Sequence, residues 1–170
     1  MVILLSIYEE YVKSIRDGKK RYEFRKRYPL NKETLALIYV PRPVKAITSW
    51  ALFGKPITGG VRKMLELKSP KTYDEKLSLI KYFEANKKCY ALPILKFGDL
   101  QPPIFLNEMA NYNIKPPQHI IYLHKHQQLL ELAASRSPEF SDLLSKTLRN
   151  HYNSSSFSFN SEVKHVRNSI

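Results

Sequence analysis

The sequence predicts a mixed α+β protein in which short strands alternate with helices. Three observations carry this. Residues 2–7 (VILLSI) form an apolar run long enough for a buried strand and too short to span a bilayer. Residues 8–17 place Tyr8, Tyr11, Val12 and Ile15 at helical spacing and are followed by Gly18. Further apolar runs of strand length at 34–40, 44–53 and 89–95 end at or beside proline or glycine.

Taken in order, the first run is a strand and residues 8–17 a helix. Glu9 and Glu10 suit the positive end of that helix, Lys13 and Arg16 the negative end, and Gly18 the left-handed stop. Residues 34–40 (TLALIYV) read as a buried strand ended by Pro41. Residues 44–53 (VKAITSWALF) read as a second strand, with Trp50 in the core. Gly59 and Gly60 suggest a turn or bulge ahead of a strand over 61–67. A helix begins at Thr72 or Tyr73, with Asp74 and Glu75 in its first turn, and runs to about Asn86. Residues 89–95 (CYALPIL) are a strand in which Pro93 requires an edge or a bulge. Prolines then cluster over 98–118, around a short helix at 105–109. Residues 120–123 make a last strand, and helices follow over 124–134 and from Ser137 to about Arg149. The Ser- and Asn-rich residues 151–170 are expected to be a disordered tail.

The chemistry concentrates at residues 18–27 (GKKRYEFRKR). Six of these ten residues are cationic, and Glu23 is the single acid among them. As a strand, period two sets Tyr22 and Phe24 on one face and Arg21, Glu23, Arg25 and Arg27 on the other. For Lys20 to share a cleft with Glu23, it must belong to the turn after Gly18 rather than to the strand. A solvated edge strand whose charges discourage aggregation is the alternative.

Residues 4–7, the helix after them, and Gly18, Lys20, Glu23 and Arg25 resemble the opening of ASCH domains, members of the PUA-like superfamily. The resemblance implies a small PUA-like β-barrel with flanking helices over about residues 1–123, with 124–150 a helical extension. It also implies that the strand at 89–95 closes the barrel beside the first strand, and that a cleft at the motif takes RNA or a nucleotide-like ligand. In a binding module, Lys20, Arg21, Arg25 and Arg27 would hold phosphate, and Glu23 would accept hydrogen bonds from a base or ribose, or lock Arg25. Tyr8 or Tyr90 would stack a base. In an enzyme, Lys20 and Glu23 would be catalytic. Some ASCH proteins are amidohydrolases of acetylated cytidine, using a Lys, a Thr and a downstream Glu. Lys20 matches that lysine, Glu23 stands where the threonine would be, and Glu66 and Glu75 are the candidates for the downstream acid. Binding is therefore the leading expectation, hydrolysis of a modified nucleoside or of RNA the second, and a protein-interaction scaffold the third.

Charge and composition bound these options. The net charge is +13, and residues 1–100 hold 21 Lys and Arg against 10 Asp and Glu. Residues 101–170 hold 7 against 5, so the basic field belongs to the motif-bearing part. RNA or another nucleic acid is the expected partner, or a nucleotide-like small molecule, and no membrane is expected. Cys89 is alone, which excludes an internal disulfide and suggests an intracellular, cytoplasmic setting. One Cys and five His give no zinc spacing, and neither a Walker motif nor a dinucleotide fingerprint occurs, so no metal or cofactor is expected.

Overall fold

The computed structural model describes residues 1–150, and the tail expected at 151–170 lies outside the described residues. In chain order the elements are β1 (Val2–Ser6), α1 (Glu9–Arg16), β2 (Tyr22–Arg25), β3 (Thr34–Val40), β4 (Ala46–Phe53), β5 (Ile57–Gly59) and α2 (Val61–Lys68). There follow α3 (Tyr73–Phe83), β6 (Cys89–Phe105), α4 (Leu106–Asn111), β7 (Ile120–Tyr122) and α5 (Gln127–Ser135). A last helix, α6, runs from 138 to 150. The strands form one sheet in the order β2-β6-β4-β3-β1-β7, with β5 also on β6, and the sheet curls into a half-barrel flanked by helices.

All seven residues of β3 are buried, because helices cover both faces of the sheet at this strand. Leu35, Leu37 and Tyr39 point into one core with Leu129, Phe140 and Leu144 of α5 and α6. Ala36, Ile38 and Val40 point into a second core with Val12 and Ile15 of α1. β1 alternates in the same way, Val2 and Leu4 against Ile3 and Leu5. A third, smaller core beneath α2 and α3 contains Phe24, Met64, Phe83, Cys89 and Ala91. Trp50 is buried, its Nε1 donating to Ser137 Oγ at 2.9 Å, which ties the sheet to the start of α6.

Four expectations need correction. Residues 61–68 are a helix: Val61, Met64 and Leu65 follow its period, and β5 takes the strand position before Gly60. The strand expected to end at Leu95 runs on to Phe105. Its pairing with β4 shifts register between Asp99 and Ile104, so Pro102 and Pro103 sit where no ladder amide is required. A second shift leaves Leu95 unpaired next to the stretch that contains Pro93. β6 also does not lie beside β1, whose neighbours are β3 in parallel and β7; β6 instead joins β2, β4 and β5. Finally, α5 begins three residues later than expected, with His126 as its N-cap.

Candidate functional site

The site is built by the end of α1. Gly18 adopts φ +70°, its N–H donates to Ile15 O at 2.9 Å, and Lys19 N–H donates to Ser14 O at 2.9 Å. This is a Schellman closure, and it needs the left-handed residue that glycine supplies. Lys20 N–H also reaches Ser14 O, at 3.0 Å, so Lys20 is held against the helix end, ahead of β2. Placed there, Lys20 turns towards Glu23 as a strand residue of its parity would not.

Glu23 then lies between two cations. Its Oε2 is 3.3 Å from Lys20 Nζ and its Oε1 is 3.0 Å from Arg25 Nε. The side chains are 8% exposed for Glu23, 15% for Lys20 and 19% for Arg25, so solvent screens these pairs far less than surface pairs. Arg25 Nη2 donates to Ser6 O at 2.6 Å, which pins β2 to the end of β1. The Arg25 Nε contact is one of charge only: its N–H makes no hydrogen bond among the described residues. Lys20 Nζ also lies 4.8 Å from the Tyr11 ring centroid and 5.5 Å from that of Phe24, both within cation–π range.

The three residues line a cleft of about 670 Å³ between α1, β2 and α3. Tyr8, Tyr11, Phe24 and Tyr82 give it aromatic walls, and Ser14, Thr72 and Ser78 contribute hydroxyl-bearing side chains. Four carboxylates (Glu10, Glu23, Asp74, Glu75) meet three cations (Lys20, Arg25, Lys68), so the lining is close to electrically balanced. Burial pushes the Tyr11 phenol above its ordinary value, and Glu10 and Glu23 add to this. Burial raises Tyr82 as well, and its hydroxyl donates to Phe24 O at 3.3 Å. Both are neutral donors at neutral pH.

The residues singled out in the sequence divide between the cleft and its surroundings. Lys20, Glu23, Arg25 and Tyr8 line the cleft. Arg21 and Arg27 are exposed outside that lining. Tyr90 is half-buried beside the second core, with Lys88 Nζ 5.6 Å from its ring centroid. Of the two candidate downstream acids, Glu75 lines the cleft, whereas Glu66 is exposed on α2 beside Arg62 and Lys63. Tyr11 was expected on the apolar face of α1, but only Val12 and Ile15 of that face are buried. Tyr11 and Tyr82 belong to the cleft, and only the surplus of tyrosine on two amphipathic helices hinted at it. A separate cavity of about 350 Å³ lies between Trp50, Lys96 and α6 and contains none of these residues. Among the described residues no cluster of three His, Cys, Asp or Glu could hold a metal ion, and no helix is long and apolar enough to cross a membrane.

The family model of the ASCH domain matches residues 5–94, which include the end of β1 and the whole of α1, β2 and α3. An ASCH domain-containing ribonuclease from Zymomonas mobilis is 31% identical over 138 residues, covering 77% of this chain and 91% of that protein. The crystal structure of ASCH from Zymomonas mobilis has a TM-score of 0.65 at 27% identity, covering 75% of this chain and 91% of that one. A point mutant of ZmASCH gives 0.67 at 29% identity, covering 77% and 95%.

Proposed function

Since this chain belongs to the ASCH domain family, we propose that it acts on RNA by taking one nucleotide into the cleft of Lys20, Glu23 and Arg25. The observation that carries this reading is the lining itself: a ligand-sized cleft, walled by tyrosines and close to neutral in charge. Glu23 already offsets Lys20 and Arg25, so the pocket suits an uncharged ring with a polar edge better than a bare phosphate. Tyr8 and Tyr11 offer rings for stacking, and Glu23, Lys20 and Arg25 present an acceptor between donors for a base edge. The relative named a ribonuclease supports RNA as the partner.

The test is binding of labelled single-stranded RNA by Lys20→Ala and Arg25→Ala proteins shown to be folded by circular dichroism. Each should weaken binding by about tenfold or more, as loss of a charged hydrogen-bond donor implies. Unchanged affinity in both would leave Lys20, Glu23 and Arg25 as a structural tie between α1, β2 and β1.

A second reading, RNA cleavage, is favoured by the name of that relative and by a lysine next to several hydroxyl groups in the cleft. Lys20→Arg separates the two readings. Arginine keeps the positive charge and cannot give up its proton. A binder should tolerate it with little change and form no product. Multiple turnover on RNA, or on acetylated cytidine, that is lost in Lys20→Arg would establish the enzyme.

A further inference from the structure

Four cations crowd one end of the β2–β6 ladder. Arg25 is in register with Tyr90, so Lys26 and Arg27 leave β2 at the end where Lys87 and Lys88 lead into β6. All four are exposed, and none of them forms an ion pair among the described residues. Two rings flank them on opposite faces of the ladder, Tyr82 beside Phe83 of the third core and Tyr90 beside the second. Lys26 Nζ lies 5.0 Å from the Tyr82 ring centroid, and Lys88 Nζ lies 5.6 Å from that of Tyr90. Tyr82 also lines the cleft, so this patch and the cleft share a wall.

The two neighbouring surfaces thus differ in kind. Within the cleft, each motif cation has a carboxylate partner; on the patch, positive charge is left uncompensated beside aromatic faces. We infer that Lys26, Arg27, Lys87 and Lys88, with Tyr82 on the cleft side, form a second binding site, a platform for the phosphodiester backbone of single-stranded RNA whose neighbouring nucleotide occupies the cleft. The inference rests on the reading of the cleft proposed above. Uncompensated lysine and arginine attract phosphates by releasing counterions, and ring faces accept bases without regard to sequence. A strand bound at both sites would present its base to the neutral pocket and its flanking phosphates to the platform.

The test compares a nucleoside monophosphate with an oligonucleotide of about eight residues, near the middle of known single-strand site sizes. The protein variants are the wild type, the double variant Lys87→Ser/Lys88→Ser, and the cleft variant Tyr11→Ala. The lysine substitutions lie in an exposed connection and leave the three cores intact. Oligonucleotide affinity should fall about tenfold at low salt in the lysine variant, and its salt slope should flatten by about 1.4, at about 0.7 per lost single-strand phosphate contact. Monophosphate affinity should be unchanged. An oligonucleotide affinity and slope equal to wild type would overturn the platform, as would an equal loss for the monophosphate. Lysine-dependent binding of anionic phosphatidylserine vesicles without oligonucleotide affinity would also overturn it and assign the patch to membranes. If the lysine variant loses oligonucleotide affinity while Tyr11→Ala changes neither ligand, the platform stands and the cleft reading fails.

Discussion

Replacing Glu23 by Gln removes one negative charge from between two cations and leaves the shape of the side chain almost unchanged. Glu23 is 8% exposed, with Lys20 Nζ at 3.3 Å and Arg25 Nε at 3.0 Å. Removing one partner of a fully buried ion pair costs about 3–5 kcal/mol, because the remaining charge is left uncompensated. Here both cations open onto the cleft and keep part of their hydration, and the glutamine oxygen can still accept, so a loss of about 2 kcal/mol is expected. With a urea dependence of about 2 kcal/mol per molar, typical of small domains, the unfolding midpoint should fall by about 1 M. Glu66→Gln is the control with the same chemistry. That side chain is 54% exposed and 3.6 Å from both Arg62 Nε and Lys63 Nζ, so its loss should change stability by less than about 0.5 kcal/mol. If Glu23→Gln unfolds within about 0.5 kcal/mol of wild type, or the two variants are equally destabilised, Glu23 does not offset the charges of Lys20 and Arg25.

Further substitutions test the packing and the pH response. Phe24→Ala empties a place in the third core beside Phe83 and should lower stability by about 3–5 kcal/mol in chemical denaturation; a change near zero would show that Phe24 is not a core residue. Gly98→Ala would bring a Cβ to 2.5 Å from Trp50 Cζ2, and the hydrogen bond to Ser137 resists movement of that indole. A loss of about 1–3 kcal/mol is expected, and unaltered stability would mean that the ring yields freely. The Arg136 guanidinium, by hydrogen-bonding Glu108, holds its carboxyl below the ordinary carboxylate range. Because the folded value is depressed, this pair stabilises the protein above the unfolded carboxylate value, and the contribution is lost as pH falls through the folded one. Glu108→Gln should therefore be less stable than wild type by about 1 kcal/mol at neutral pH, and the difference should shrink below about pH 4. A difference that stays constant with pH would contradict this.

Much of the architecture was legible because single elements carried several agreeing signals. α1 combined an apolar repeat, acids at its start, bases at its end and a glycine stop; the acids, bases and stop are found in the structure, and Val12 and Ile15 of the repeat are buried. The expectation that Lys20 belongs to the turn also holds, since the Schellman closure keeps it out of β2. The misreadings arose where local composition underdetermines structure. Prolines argue against a central strand, yet Pro102 and Pro103 lie in β6 at a gap in the ladder, which only the register of β4 reveals. Residues 61–68 are too short a segment for an apolar run to distinguish strand from helix. The cleft was half legible. Lys20, Glu23 and Arg25 stand within six residues of one another, whereas Tyr82 and Glu75 enter from a helix about fifty residues on, through tertiary packing that no spacing encodes. Nor does a count of charges disclose pairing: the cations nearest the motif acid are neutralised, and those just beyond it are not.

A crystal structure of the protein soaked with a short single-stranded RNA would show directly whether the cleft takes a base. One base should lie in the cleft, in contact with Tyr11 and with the polar atoms of Lys20, Glu23 or Arg25, and the flanking phosphates should be directed towards Lys26 and Lys88. RNA bound elsewhere, with the cleft holding only water, would contradict this.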